Sequence, residues 1–182
     1  MTEVSERYQR LADTFAAKIA AVPSDRWTAR TPCDDWSVRE LVGHVVNAQG
    51  MILGLVGRSL GDIPSADDDP GAAFAAARAV VQRDLEDPAV AATEFEGSMG
   101  VMTFETAVDR FLCFDLVVHG WDLSRAADLD ENIDEADVAR VQALAESYGD
   151  ALRRPGAFGP AVVPPTGSDA QDRLIAFLGR KP

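Results

Sequence analysis

The sequence predicts an all-α protein, a small bundle whose main helices run up and down beside one another. Most of its 182 residues fall in segments whose apolar side chains recur every three or four positions. Helix-capping patterns open several of these segments, and Pro or Gly closes them. Hydrophobic residues make up 47% of the chain, enough to bury a substantial core. With no internal repeat and no linker, we expect residues 1–182 to form a single domain.

The periodic segments predict five or six helices joined by loops of varied length. Helices are predicted over 4–22, 38–56, 72–85, 103–127 and 138–148, with a short last helix from 168 onward. Three of them have N-terminal signals: Ser37 with Glu40 and Ser168 with Gln171 as capping boxes, and Thr103 as a simple N-cap. These signals fix where the helices begin more firmly than periodicity alone.

Three segments are predicted to lie outside helices. Residues 57–70 form a loop rich in Gly, Pro and Asp, and the acidic run 67–69 lacks the spacing of a calcium-binding loop. Residues 90–102 are able to form a short strand, but Gly97 and Gly100 interrupt them, so the sequence does not establish one. Residues 155–167 are a Pro/Gly-rich C-terminal segment.

The charge of the chain excludes several kinds of partner. Thirty acidic residues against 17 basic ones give a net charge of −13, which repels nucleic-acid phosphates and anionic lipid surfaces. No signal-peptide pattern and no apolar run of about 20 residues is present. The two cysteines are far apart and form no disulfide framework. We therefore expect a cytoplasmic monomer or homodimer that acts on a small molecule.

The two histidines of the chain, His44 and His119, both lie in apolar stretches of predicted helices. Asp115 precedes His119 by four residues, so the two side chains share one helix face. If the helix of His44 packs beside that face, two imidazoles and a carboxylate converge. Such a set suits Zn²⁺, Ni²⁺ or Fe²⁺ and leaves coordination positions open for water or substrate.

A second interpretation of the same residues needs no metal. Asp115 and His119 also fit a simple hydrogen-bonded pair on one helix. His44 also fits a buried histidine satisfied by a neighbour, and Glu40, four residues before it, offers a rival partner. Spacing alone does not choose between the two interpretations.

Three blocks of sequence resemble one family. The run TPCDDWSVRELVGHV (31–45) resembles the helix-entry motif of actinobacterial proteins related to mycothiol-dependent maleylpyruvate isomerase, within the DinB-like or YfiT-like four-helix-bundle superfamily. The run FDLVVHGWDLSRA (114–126) resembles the second metal-ligand segment of that family. The tail, FGP (158–160) followed by LIAFLGR (174–180), is similar to the closing segment of a metal-binding subfamily.

The resemblance implies a fold, a ligand set and a thiol cofactor. It implies a DinB-like four-helix bundle with extra short helices, and metal ligands at His44, Asp115 and His119. The isomerase has a glutamate where this chain has Asp115, which is one methylene shorter, so the helices must approach more closely or a water must bridge. The isomerase also has a sizeable C-terminal domain that takes part in binding its thiol cofactor. One short helix stands here instead, so we do not expect its isomerase activity to carry over unchanged.

The leading functional hypothesis is a metal-dependent, mycothiol-using transferase or isomerase-like enzyme acting on a small electrophile. Zn²⁺ is the expected metal, with Ni²⁺ or Fe²⁺ as alternatives, and no separate catalytic residue stands out. Two other hypotheses stay open. One is a metal-dependent hydrolase of a small amide or ester, and the other is a bundle that binds metal without catalysis.

Several neighbours of the predicted ligands have two interpretations each. Cys33 could be a fourth ligand or a reactive thiol, or simply a small buried side chain, and Cys113 fits the core. Trp121 could wall a pocket and Asp122 could accept a hydrogen bond from a ligating imidazole, or both could serve helix packing. Two arginines flank the blocks and could receive an anionic substrate or face solvent, namely Arg39 and Arg125.

Overall fold

The computed structural model describes residues 2–33, 36–97, 100–153 and 158–182, without the side chains of residues 150 and 151. The described residues are mostly helical, with a small two-stranded sheet, which confirms the prediction of a mainly α protein. The chain divides into two compact units, Met1–Asp130 and Glu131–Pro182. That residues 1–182 form a single domain stays a prediction.

The first unit contains the long helices. In chain order its elements are α1 (Glu3–Ala21), α2 (Val38–Gly54), α3 (Pro70–Glu86), α4 (Pro88–Ala91), β1 (Glu94–Gly97), β2 (Gly100–Thr103), α5 (Phe104–Ala107) and α6 (Cys113–Ala127). The predicted boundaries of the first two helices are met within two residues. Helix α3 begins two residues earlier than predicted, because the Asp69 carboxylate caps it and Pro70 occupies its first turn.

The start of α2 follows the sequence signal. The Ser37 side chain accepts the backbone N–H of Glu40, and the Glu40 carboxylate accepts the backbone N–H of Ser37 at 2.8 Å. This is the predicted capping box, and it satisfies backbone donors that the first helical turn leaves unpaired. It fixes the start of the helix that carries His44.

The helix that carries Asp115 and His119 contains a widened turn. Thr103 caps α5 as predicted, and the chain then passes through a π-helical segment, Val108–Leu112, into α6. Helix α6 ends at Ala127, where Asp128 takes a left-handed conformation with φ of 57°. The predicted long helix from 103 to 127 is therefore correct in extent, but periodicity does not reveal its π-helical segment.

Four long helices pack around one core in the first unit. Helix α1 contacts α3 and α6, and α2 contacts the same two helices. The largest fully buried side chains include Tyr8, Phe15, Phe74, Leu53 and Trp121. The contact between α2 and α6 is the one that positions the site, because it places the face of His44 against that of Asp115 and His119.

A short hairpin joins α4 to α5. Strand β1 pairs antiparallel with β2, with Phe95 opposite Met102. The sequence left a strand open here because Gly97 and Gly100 interrupt the stretch, and the structure forms two short strands. Gly97 and Gly100 are paired at the turn end of the hairpin, and Gly100 has φ of 94°, so both residues serve the turn.

The second unit is built from two helices. Its elements are α7 (Glu135–Tyr148), a 3₁₀ turn (Gly149–Arg153) and α8 (Ala170–Phe177). Residues 158–169 between them have no regular helix or strand, and residues 155–157 of the Pro/Gly-rich segment lie outside the described part. The predicted cap at Ser168 is off by one residue, since Asp169 accepts the backbone N–H of Asp172 at 2.8 Å.

Within the described part of the chain, none of the helices is both long enough and apolar enough to traverse a bilayer.

Candidate metal centre

His44, Asp115 and His119 come together where α2 contacts α6. Each offers one ligand atom, and the three atoms lie within 4.8 Å of one another. Nε2 of His44 is 3.8 Å from Oδ2 of Asp115, and the two imidazole rings lie 5.0 Å apart at 80°. The structure thus brings together the three residues that the sequence singled out. That they bind a metal stays a prediction.

The distance between His44 and Asp115 fits a site that would contract slightly around an ion. Tetrahedral coordination with bonds of about 2.0–2.1 Å to nitrogen and oxygen places neighbouring donor atoms about 3.3 Å apart. The His44–Asp115 separation of 3.8 Å is longer by about half an ångström. Small side-chain rotations cover such a gap, so the shorter aspartate is compatible with direct ligation.

Asp122 fixes the orientation of His119. Its Oδ2 lies 3.0 Å from Nδ1 of His119, one helical turn along α6. The Asp122 side chain is fully buried and that of His119 is 6% exposed. With Nδ1 held by this carboxylate, the remaining ring nitrogen, Nε2, is available to an ion. A carboxylate behind a ligating histidine is a common arrangement in metalloproteins. Asp122 therefore contacts the imidazole of His119, as the first of its two sequence interpretations proposed.

Trp36 lies against both imidazoles. Its indole stacks on His44 with ring centroids 4.3 Å apart and meets the edge of His119 at 5.9 Å. The sequence analysis did not single out this tryptophan. The available signal was its place directly before the N-cap Ser37, which brings it next to the first turns of α2. Trp36 restricts how far the His44 ring can turn.

Among the described residues of the site, His44 and Asp115 form the exposed side. The His44 and Asp115 side chains are 29% and 25% exposed, whereas His119 is buried. An ion held here would therefore face solvent past His44 and Asp115, and be closed off behind His119. Open coordination positions of this kind are what distinguish a catalytic metal site from a structural one.

The two histidines have opposite protonation behaviour. Burial, together with the charge of His119, lowers the pKa of His44 from 6.5 to about 4. Burial also disfavours the charged form of His119, but hydrogen bonds to Asp122 and Cys33 and the charge of Asp115 outweigh it and raise its pKa to about 10. The metal-free site thus holds one neutral imidazole and one imidazolium near neutral pH.

Glu40, the alternative partner considered for His44, is hydrogen-bonded to Ser37. The Glu40 carboxylate accepts the Ser37 hydroxyl at 2.6 Å within the capping box, and that bonding lowers its pKa. His44 instead faces Asp115, Trp36 and His119. His44 therefore lies next to Asp115 and His119 and not next to Glu40.

Cys33 lies near Nδ1 of His119. We call His44, Asp115 and His119 the triad, and Cys33 is not part of it. Its Sγ is 3.3 Å from Oδ2 of Asp122 and 4.0 Å from Nδ1 of His119. Cys33, His119 and Asp122 form a second group of converging donor atoms. Cys33 therefore lies near Nδ1 of His119, in a group of donor atoms separate from the group that contains His44.

The other residues that the sequence singled out near the site are buried in the core or contact aromatic rings and backbone. Cys113 and Trp121 are buried in the core. The Arg125 guanidinium lies 4.8 Å from the centre of the Trp121 ring. Arg39 donates to the backbone oxygen of Asp67 at 2.7 Å and lies over Trp27. These contacts support a packing role for Trp121.

Fold and site together define a mainly helical protein with a two-histidine, one-aspartate centre between two helices. The family model of the mycothiol maleylpyruvate isomerase N-terminal domain matches residues 8–124, which include all three triad residues, and the chain belongs to this family. An uncharacterised protein of Mycobacterium tuberculosis, found in two strains, is 31% identical over 175 residues, covering 95% of each chain. No solved structure matches the chain.

Proposed function

We propose that this protein is a metal-dependent enzyme that uses a low-molecular-weight thiol, mycothiol, to act on a small electrophile. It would transfer the thiol to the electrophile or use it as a cofactor in an isomerisation. The observation that carries the proposal is the convergence of His44, Asp115 and His119 within 4.8 Å on two packed helices. Membership of the mycothiol maleylpyruvate isomerase N-terminal domain family supports the choice of thiol.

We also infer that the four long helices of the first unit form an up-and-down bundle of the DinB-like kind. The pairwise contacts support this, since α1 and α2 each pack against both α3 and α6. In such a bundle, ligands project from facing helices into the space between them. His44 on α2 and Asp115 and His119 on α6 have that placement.

The donor set fits a divalent ion of borderline softness. Imidazole and carboxylate together suit Zn²⁺ first, with Ni²⁺ and Fe²⁺ as alternatives. When bound, the ion would supply Lewis acidity and lower the pKa of a coordinated thiol or water. The residues of the chain would position the ligands. Asp122 holds the His119 ring in one orientation, and Trp36 limits the rotation of the His44 ring.

The open side of the site supports access by a small molecule. His44 and Asp115 are about a quarter exposed and form its rim, with Trp36 beside them. A thiol and an electrophile would both have to approach across this rim, because His119 closes the opposite side. The proton of the thiol would leave to solvent across the same rim.

The proposal is tested by thiol conjugation with zinc-loaded protein. We expect conjugation of mycothiol to a halogenated dinitrobenzene, lost on metal removal and in His44→Ala. Asp62→Ala, which changes an exposed carboxylate in the 57–70 loop, is the matched control and should keep full activity. Turnover of simple esters or amides without thiol would instead show the hydrolase. Metal binding with neither activity would show a non-catalytic bundle, and both results contradict the proposal.

A further inference from the structure

We propose that Cys33, His119 and Asp122 form a second cation site, selective for a thiophilic ion and distinct from the His44–Asp115–His119 site. The two sites share one imidazole but use opposite ring nitrogens. The Nδ1 atom of His119 faces Cys33 and Asp122 at 4.0 and 3.0 Å, which leaves Nε2 for the other site.

The three donor atoms have the spacing of one face of a coordination tetrahedron. Bonds of about 2.3 Å to sulfur and about 2.0–2.1 Å to nitrogen and oxygen give edges of about 3.3–3.6 Å. The observed edges are 3.0 Å from Nδ1 to Oδ2, 3.3 Å from Sγ to Oδ2 and 4.0 Å from Sγ to Nδ1. Each differs from the ideal by a few tenths of an ångström, which side-chain rotation can absorb.

The chemistry of the donors favours a soft ion here. The first site offers nitrogen and oxygen alone, whereas this one adds a cysteine sulfur, which selects thiophilic ions such as Cd²⁺ or Cu⁺. Asp122 is fully buried, so it would bind the ion as an anionic ligand in a region of low dielectric. Cys33 is only half-buried, so an ion can reach the site from its side.

Binding at this site changes the state of His119. The ion replaces the Sγ proton of Cys33, which is released to solvent, and it takes the lone pair on the deprotonated Nδ1 of His119. His119 then carries its remaining proton on Nε2 and cannot also ligate an ion beside His44 and Asp115. We therefore expect the two sites to exclude each other, a consequence that rests on the proposed function, whereas the Cys33 site itself does not.

The test is a Cd²⁺ titration of the reduced, metal-free full chain, followed by thiolate-to-cadmium charge-transfer absorption in the ultraviolet. We expect this absorption to saturate at one ion per chain in the wild type and to persist in His44→Ala. It should be lost in Cys33→Ala. Cys113→Ala is the matched control, because it removes the other cysteine of the chain, and it should keep the absorption.

Three results would overturn the proposal: no charge transfer in the wild type, an unchanged signal in Cys33→Ala, or loss of the signal in Cys113→Ala. Circular dichroism and Zn²⁺ binding by Cys33→Ala show whether that variant is folded. Cd²⁺ charge transfer in a wild type that fails to bind Zn²⁺ would contradict the proposed function while supporting the Cys33 site. Two Cd²⁺ ions per chain would overturn the exclusion between sites.

Discussion

The Asp122 carboxylate lies 3.0 Å from Nδ1 of His119, one turn further along α6, and its side chain is fully buried. This contact occupies Nδ1 of His119 and leaves Nε2 as the ring nitrogen available to an ion. It also makes Asp122 the residue that connects the predicted ligands to the thiol of Cys33.

We expect Asp122→Asn to weaken Zn²⁺ binding about 10–100-fold. The asparagine amide can donate to Nδ1, which moves the imidazole proton to Nε2 and blocks the nitrogen that faces His44. Competition with a chromophoric chelator measures the affinity, and Asp62→Asn is the control for loss of one acidic residue. Equal affinities for Asp122→Asn and the wild type would show that the contact does not orient a ligand.

The two histidines should titrate far apart in the metal-free protein. We expect the His44 ring to stay neutral until the pH falls to about 4 and His119 to keep its second proton until the pH rises to about 10. With two histidines in the chain, ¹⁵N-labelled histidine and one variant, His44→Gln, assign both sets of resonances. Two ordinary titrations near pH 6.5 would contradict the described packing of both rings.

Metal affinity should rise with pH. In the metal-free site His119 is protonated below about pH 10, so an ion must displace the proton on Nε2 before it can bind. Displacement of one proton predicts an affinity about tenfold higher for each unit of pH between about 6 and 8. Isothermal titration with Zn²⁺ in buffers of different ionisation enthalpy measures both the slope and the proton released. A pH-independent affinity would mean that His119 is not a ligand.

The capping box of α2 should contribute measurably to stability. Ser37→Ala removes the acceptor for the Glu40 backbone N–H and should cost about 1 kcal/mol of the free energy of unfolding. Ser37→Gly should cost only a few tenths of a kcal/mol, since glycine is tolerated at the N-cap. Urea denaturation measures both. Equal losses in the two variants would point to a contact of the serine other than capping.

Local patterns predicted most of the helices and the three residues that come together between α2 and α6. The Ser37–Glu40 capping box and the four-residue spacing of Asp115 and His119 are properties of one helix, so the sequence shows them directly. The sequence predicts the first residue of a helix less accurately where two adjacent residues both suit the N-cap. At the last helix Ser168 and Asp169 both suit the N-cap, and the structure uses the aspartate.

Features that depend on tertiary contact were not predictable in the same way. The approach of Cys33 to His119 joins residues 86 positions apart, and no spacing rule encodes it. The stacking of Trp36 on His44 depends on how the chain enters α2. The π-helical segment Val108–Leu112 changes the hydrogen bonding of the backbone within an unbroken helical pattern of side chains.

The central claim, that His44, Asp115 and His119 bind one divalent ion, is tested most directly by calorimetric titration of metal-free protein with Zn²⁺. Asp115→Ala removes the carboxylate of the three predicted ligands. Asp62→Ala removes a carboxylate outside the site and is the matched control. We predict one ion per chain in the wild type and in Asp62→Ala, with binding at least 100-fold weaker in Asp115→Ala, about 3 kcal/mol. Equal Zn²⁺ binding in all three proteins, or none in the wild type, would contradict the account.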